Sequence, residues 1–89
     1  MAIIIKIDGQ IENIEPENSR VFTLEELQKA VNGMIEIVHI QSGEYAGKLM
    51  IVNEEGLLKP NPQYNHTASL IAGRGIVGQV IFIDRDQIE

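Results

Sequence analysis

The stretch Gly73-Arg-Gly-Ile-Val-Gly-Gln-Val-Ile-Phe-Ile83 decides the fold. It spells G-x-G-x-x-G, the spacing of a dinucleotide-binding loop. Such a loop needs a strand before it and a helix after it, so that the phosphates meet the helix N-terminus. Here the order is helix, motif, strand. Residues 66–72 carry a short helical pattern that Gly73 closes, and residues 76–83 read as a strand. The glycines are then a helix cap, a tight connection and a small residue within a strand. The strand itself is strongly apolar, which implies burial on both faces or at a subunit interface.

Upstream, hairpin signals dominate. Residues 2–7 are apolar and β-branched, Asp8-Gly9 is a turn, and residues 11–14 return. Residues 15–20 are polar, contain Pro16 and form a connection. Thr23 and Glu26 stand three apart at the head of Leu24, Leu27, Ala30 and Val31, an apolar face at helical spacing. That is a capping box, with Phe22 and Leu27 placed to form a hydrophobic staple. Asn32-Gly33 ends the helix, with Gly33 as the left-handed cap. Residues 34–40 and 49–52 are strands joined by a loop containing Gly43 and Gly47. A turn follows at 53–56, with Gly56 supplying positive φ. Pro60 and Pro62 keep residues 59–64 extended. Asn65 then caps the second helix.

The sum is an α+β domain of about five mostly antiparallel strands and two short helices, the sheet curled or forming a half-open small barrel. Residues 1–84 form the single domain and residues 85–89 a polar C-terminal tail.

Composition narrows the function classes. The 89 residues hold no cysteine, so disulfides, thiolate zinc sites and thiol chemistry are excluded. Acidic residues number 13 against 7 basic, a net charge of −6, which disfavours binding to a nucleic-acid backbone. No apolar run approaches the roughly 18 residues that span a membrane, and residues 1–6 lack a signal peptide's basic region. The expected setting is the cytoplasm. A chain this small has a thin stability margin, which self-association relieves, so a homo-oligomer is expected. The serines lack a nucleophile-elbow context, and neither His39 nor His66 belongs to a ligand-spacing motif. Catalytic residues, metal ligands and cofactors are therefore not expected, and the chain reads as a non-enzyme.

One segment concentrates binding chemistry. Lys59, Asn61, Tyr64, Asn65, His66, Thr67 and Arg74 bring two cations, amides, an aromatic ring and a hydroxyl near the head of the second helix. Helix N-terminal N–H groups donate to an anion, Arg74 or Lys59 pairs with phosphate, and Tyr64 stacks on a base. These residues are the expected ligand-binding set, for a small nucleotide.

The ordered series Leu-Glu-Glu-Leu-Gln-Lys-Ala-Val-Asn-Gly (24–33), Ile-Glu-Ile-Val (35–38), Val-Asn-Glu-Glu-Gly-Leu-Leu (52–58), residues 61–68 and Ile-Val-Gly-Gln-Val-Ile-Phe-Ile-Asp (76–84) resembles a domain-of-unknown-function family, number 3846 in that series. The likeness runs over residues 1–84. It departs at residues 59–62, where similar proteins tend to carry a Gly-Leu-Pro-type sequence. The resemblance implies no catalytic residues. It implies a setting: phages, plasmids and their bacterial hosts. In that setting two functions are expected of a small non-catalytic binder. One is a sponge that sequesters a nucleotide signal of host defence, acting in the host cytoplasm. The alternative is an inhibitor or adaptor that binds a host enzyme through an acidic surface or a free strand edge.

Overall fold

A computed structural model describes residues 2–58 and 60–88. Strands β1 (Ile3–Ile5) and β2 (Ile11–Asn13) form the first hairpin, and helix α1 (Leu24–Val31) follows. Strands β3 (Ile35–His39) and β4 (Leu49–Asn53) form the second hairpin. Helix α2 (His66–Ala72) and strand β5 (Val80–Ile83) complete the chain's regular elements. The strands form one sheet in the order β2-β1-β5-β4-β3, with every neighbouring pair antiparallel. The last strand to be made is thus the central one.

Its position explains its composition. All four residues of β5 are buried. Val80 and Phe82 face one side with Ile3, Ile5, Met50, Val52 and Ala68. Ile81 and Ile83 face the other with Phe22, Leu27, Leu49 and Ile51. Helix α1 covers the second side and α2 the first, giving three layers. Each fully buried aliphatic or aromatic side chain contributes about 1.5–3 kcal/mol. The α+β class, the five antiparallel strands and the two short helices are as the sequence reads. The expected curl toward a half-open barrel is not. Among the described residues β2 and β3 are free edges that do not pair. A strand buried on both faces needs a covering layer on each, and an open sheet provides room for both helices.

Local chemistry sets the boundaries. At α1, Glu26 N donates to Thr23 Oγ1 (3.2 Å) and Thr23 N to Glu26 Oε1 (3.0 Å), the expected capping box. Asn32, not Gly33, takes the left-handed cap (φ 62°). Gly33 is needed for space instead: a Cβ there would stand 2.7 Å from Asn53 Nδ2. Gly56 likewise has no positive φ and opens a 3-10 turn (Gly56–Leu58), buried beneath Val77. β5 starts at Val80 rather than residue 76 because Gly78 turns the chain (φ 83°). Before it, Val77 bridges Tyr64, and Gly78 N donates to Gln63 O at 2.9 Å.

Residues 85–88 dock back onto the fold. Arg85–Gln87 form a 3-10 turn, Phe22 N donates to Gln87 O, and Ile88 packs on the α1-side core. Asp84 accepts from Lys48 Nζ, and that bond holds its carboxyl below the usual aspartate range. Glu26 is held low by backbone N–H donation from Thr23 and Glu17. A carboxyl whose folded pKa is depressed stabilises the fold above its unfolded pKa, and the gain disappears as pH falls through the folded value.

One buried polar side chain ties these parts together. Asn65 is fully buried. Its Nδ2 donates to Ile5 O and to Gly78 O, both at 3.0 Å, and its Oδ1 accepts from Ala68 N at 3.0 Å. A single amide thus joins the end of β1, the turn into β5 and the head of α2.

Asn65→Ala is expected to cost about 3 kcal/mol or more in urea unfolding, since each buried group left without a partner costs about 1–3 kcal/mol. Asn65→Asp keeps the cap on Ala68 but sets a carboxylate against two carbonyls. That raises its folded pKa, so its deficit relative to the parent chain is largest at neutral pH and shrinks in acid. Asp84→Asn behaves oppositely in origin. It lowers stability at neutral pH, and the difference from the parent chain closes as pH falls below the ordinary aspartate value of 3.8.

Candidate functional site

The residues expected to gather around the head of α2 do not converge on one cavity. Asn65 is spent within the fold, as above, and its oxygen already caps Ala68 N. The helix terminus expected to receive an anion is therefore occupied by the chain's own amide. Tyr64 lies against Gly75, where a Cβ would stand 3.2 Å from its ring, and is half exposed. Arg74 Nη2 pairs with Glu36 Oε1 at 3.1 Å, across to β3. Thr67 points the other way, its Oγ1 beside Gly9 in the first hairpin turn. His66 is exposed on the first turn of α2. Lys59 lies outside the described residues. Of the described ones, only Asn61, exposed and left-handed at φ 56°, reaches a large cleft.

That cleft, of about 480 Å³, lies at the C-terminal end of α1. It forms because a helix leaves its last carbonyls without intrahelical partners, and these must be satisfied. Here side-chain amides from the sheet do it. Asn53 Nδ2, at the end of β4, donates to Val31 O (3.1 Å) and Asn32 O (3.2 Å), which the bare Gly33 allows. Asn53 Oδ1 accepts from Glu55 N at 2.8 Å, holding the amide in that orientation. Gln79 Nε2, just before β5, donates to Ala30 O at 2.8 Å. The chain segment 60–63 closes the far wall.

The walls divide by chemistry. Ile7, Val77, Pro60 and Pro62 supply apolar surface. The side chains of Asn61 and Gln63 have no hydrogen-bond partner among the described residues, and both are exposed in the cleft wall. Among the described lining residues Lys29 alone carries charge. None of the groups with a shifted pKa (Lys6, raised chiefly by Glu12, and Glu26 and Asp84) lines it. The arrangement can therefore hold a flat molecule against apolar surface and read its polar edge with donors and acceptors alike. Among the described residues no group of three His, Asp or Glu side chains is placed to hold a metal ion. Nor is any helix there long and apolar enough to cross a membrane.

Sequence reasoning placed Gln63 in the polar stretch before α2 but missed Lys29, Asn53 and Gln79. One signal was present: Gln79 is the single polar side chain in an otherwise apolar run, and such a residue needs a partner.

A family model described as "Domain of unknown function (DUF3846)" matches residues 1–89. No curated protein and no solved structure matches the chain.

Gly33→Ala is expected to push the Asn53 amide off the α1 carbonyls and to lower stability by about 0.5–1.5 kcal/mol, the net contribution of a hydrogen bond that is not fully buried. The Asn53 side-chain NH₂ signal in an NMR spectrum should move with it, while that of Asn65 stays in place.

Proposed function

The chain belongs to the DUF3846 family, and we propose that it is a non-catalytic binding protein whose cleft at the end of α1 sequesters a small nucleotide-type ligand. The observation that carries this reading is the pairing of apolar walls with the unengaged amides of Asn61 and Gln63 in one cleft. Its volume of about 480 Å³ suits a small molecule. Amide side chains recognise the edges of bases by paired donor and acceptor contacts. The non-catalytic part of the proposal rests on the hydroxyl and imidazole groups. Ser69 Oγ accepts from Ile76 N at 2.8 Å and donates to Ile76 O at 3.3 Å, so it is engaged within the fold. His39 and His66 are exposed on separate elements, away from the cleft lining. In the phage and plasmid setting that the sequence pattern implies, the ligand is a signal nucleotide of host defence, held in the host cytoplasm.

A second reading, an adaptor or inhibitor acting on a host protein, draws on the free β3 edge. That strand is five residues long, has no proline and exposes Ile37, and Met34 just ahead of it is exposed as well. Such an edge accepts a further strand, from a partner or from a second copy in a homo-oligomer.

Depletion separates the readings. The purified protein is mixed with cyclic and ADP-ribose-type nucleotides, filtered, and the filtrate and heat-released material are run by liquid chromatography. Sequestration removes intact nucleotide from the filtrate and returns it on heating. A new product would make the protein an enzyme. A filtrate that loses nothing would leave the β3-edge reading in front.

A further inference from the structure

We infer that the cleft selects nucleosides and singly charged nucleotides, taken base inward, and rejects polyphosphates. This rests on the binding reading above and narrows it to a ligand class.

Charge sets the ligand class. A polyphosphate needs several cations or a run of free backbone N–H groups. Among its described lining residues the cleft offers no second cation. Lys29 is the one charged side chain among its described lining residues. Arg74, the cation expected for phosphate, pairs with Glu36 and lies outside the lining. The helix end that faces the cleft is also the wrong one for an anion. The terminal carbonyls of Ala30, Val31 and Asn32 lie there, and they give a helix C-terminus a partial negative charge. The whole chain adds a net charge of −6. One phosphate placed at Lys29, on the last turn of α1, is compatible with this field. Two or more are not.

Recognition then falls to uncharged groups. Asn61 and Gln63 each bring both a donor and an acceptor, and neither is used by the protein among the described residues. Gln79 has given its Nε2 to Ala30 O and keeps an oxygen without a partner there, an acceptor for an exocyclic amino group. The apolar walls at Ile7 and Val77 suit a base and do nothing for a phosphate chain. The inward end of the ligand is therefore its base.

Isothermal titration of the whole chain with adenosine, guanosine, cyclic AMP, cyclic GMP and ATP tests the inference. At least one nucleoside or cyclic mononucleotide should bind, and ATP should bind at least about tenfold more weakly, a difference of about 1.4 kcal/mol. Lys29→Gln should weaken the cyclic nucleotide several-fold and leave its nucleoside unchanged. Asn61→Gly with Gln63→Ala should weaken both; glycine retains the left-handed backbone at 61, and neither side chain supports the fold. Melting of each variant checks that it folds. ATP as the tightest ligand, with binding lost in the double variant, would overturn the ligand class and leave the cleft as the binding site. Binding untouched by the double variant would overturn both the site and the class. Heat-silent mixtures with all five probes, at concentrations where micromolar binding is measurable, would overturn the binding reading itself.

Discussion

The structure turns on one buried amide. Asn65 contributes three hydrogen bonds in a place water does not reach, and each reaches a different part of the chain. Without it, two carbonyls of the central sheet region and the first turn of α2 would lose partners in an apolar interior, where the penalty is greatest. The constraint also positions everything downstream. Because Nδ2 holds Gly78 O, the chain turns at Gly78 and β5 starts in register between β1 and β4. Because Oδ1 caps Ala68 N, α2 starts where Ala68 packs onto Phe82 and Met50.

The cleft is a consequence of that arrangement. Once β5 is central, Gln79 stands immediately ahead of it, under the end of α1, and meets Ala30 O. Asn53 at the end of the neighbouring β4 meets the next two carbonyls. Two sheet residues thus close a helix terminus that has no partners of its own, and the hollow beside them is walled by the segment that carries Asn61 and Gln63. The central strand closes the sheet only when residues 80–83 arrive between residues 3–5 and residues 49–53. Long-range contacts of that kind make for slow folding relative to a helical chain of the same size.

Much of the fold was legible in the residues. Thr23 and Glu26 announce the start of α1 because a capping box is local chemistry, complete within four residues. Asp8-Gly9 and Asn65 are legible for the same reason. The apolar run ending at Ile83 implied a strand buried on two faces or at a subunit interface, and β5 is buried on both faces within the chain. The open form of the sheet was not legible, since it depends on which strands become edges. The site was legible least. Sequence proximity suggested that Tyr64, Asn65, His66, Thr67 and Arg74 act together. Yet consecutive residues around a helix start point in different directions: Asn65 inward, Thr67 toward Gly9, and Tyr64 onto Gly75. The cleft instead draws Lys29, Asn53, Asn61 and Gln79 from four separate segments. No spacing rule connects them. Asn53 and Gln79 are brought there by the need of a helix end for partners.

The account's central claim is that the amides at the end of α1 meet the ligand and that Asn65 does not. The direct measurement is a side-chain amide NMR titration of the whole chain with cyclic AMP. The account predicts that the NH₂ signals of Asn61 and Gln63 move with ligand, while that of Asn65 stays fixed and exchanges slowly with solvent. Movement confined to Tyr64, His66 and Arg74, with Asn61 and Gln63 unmoved, would contradict it.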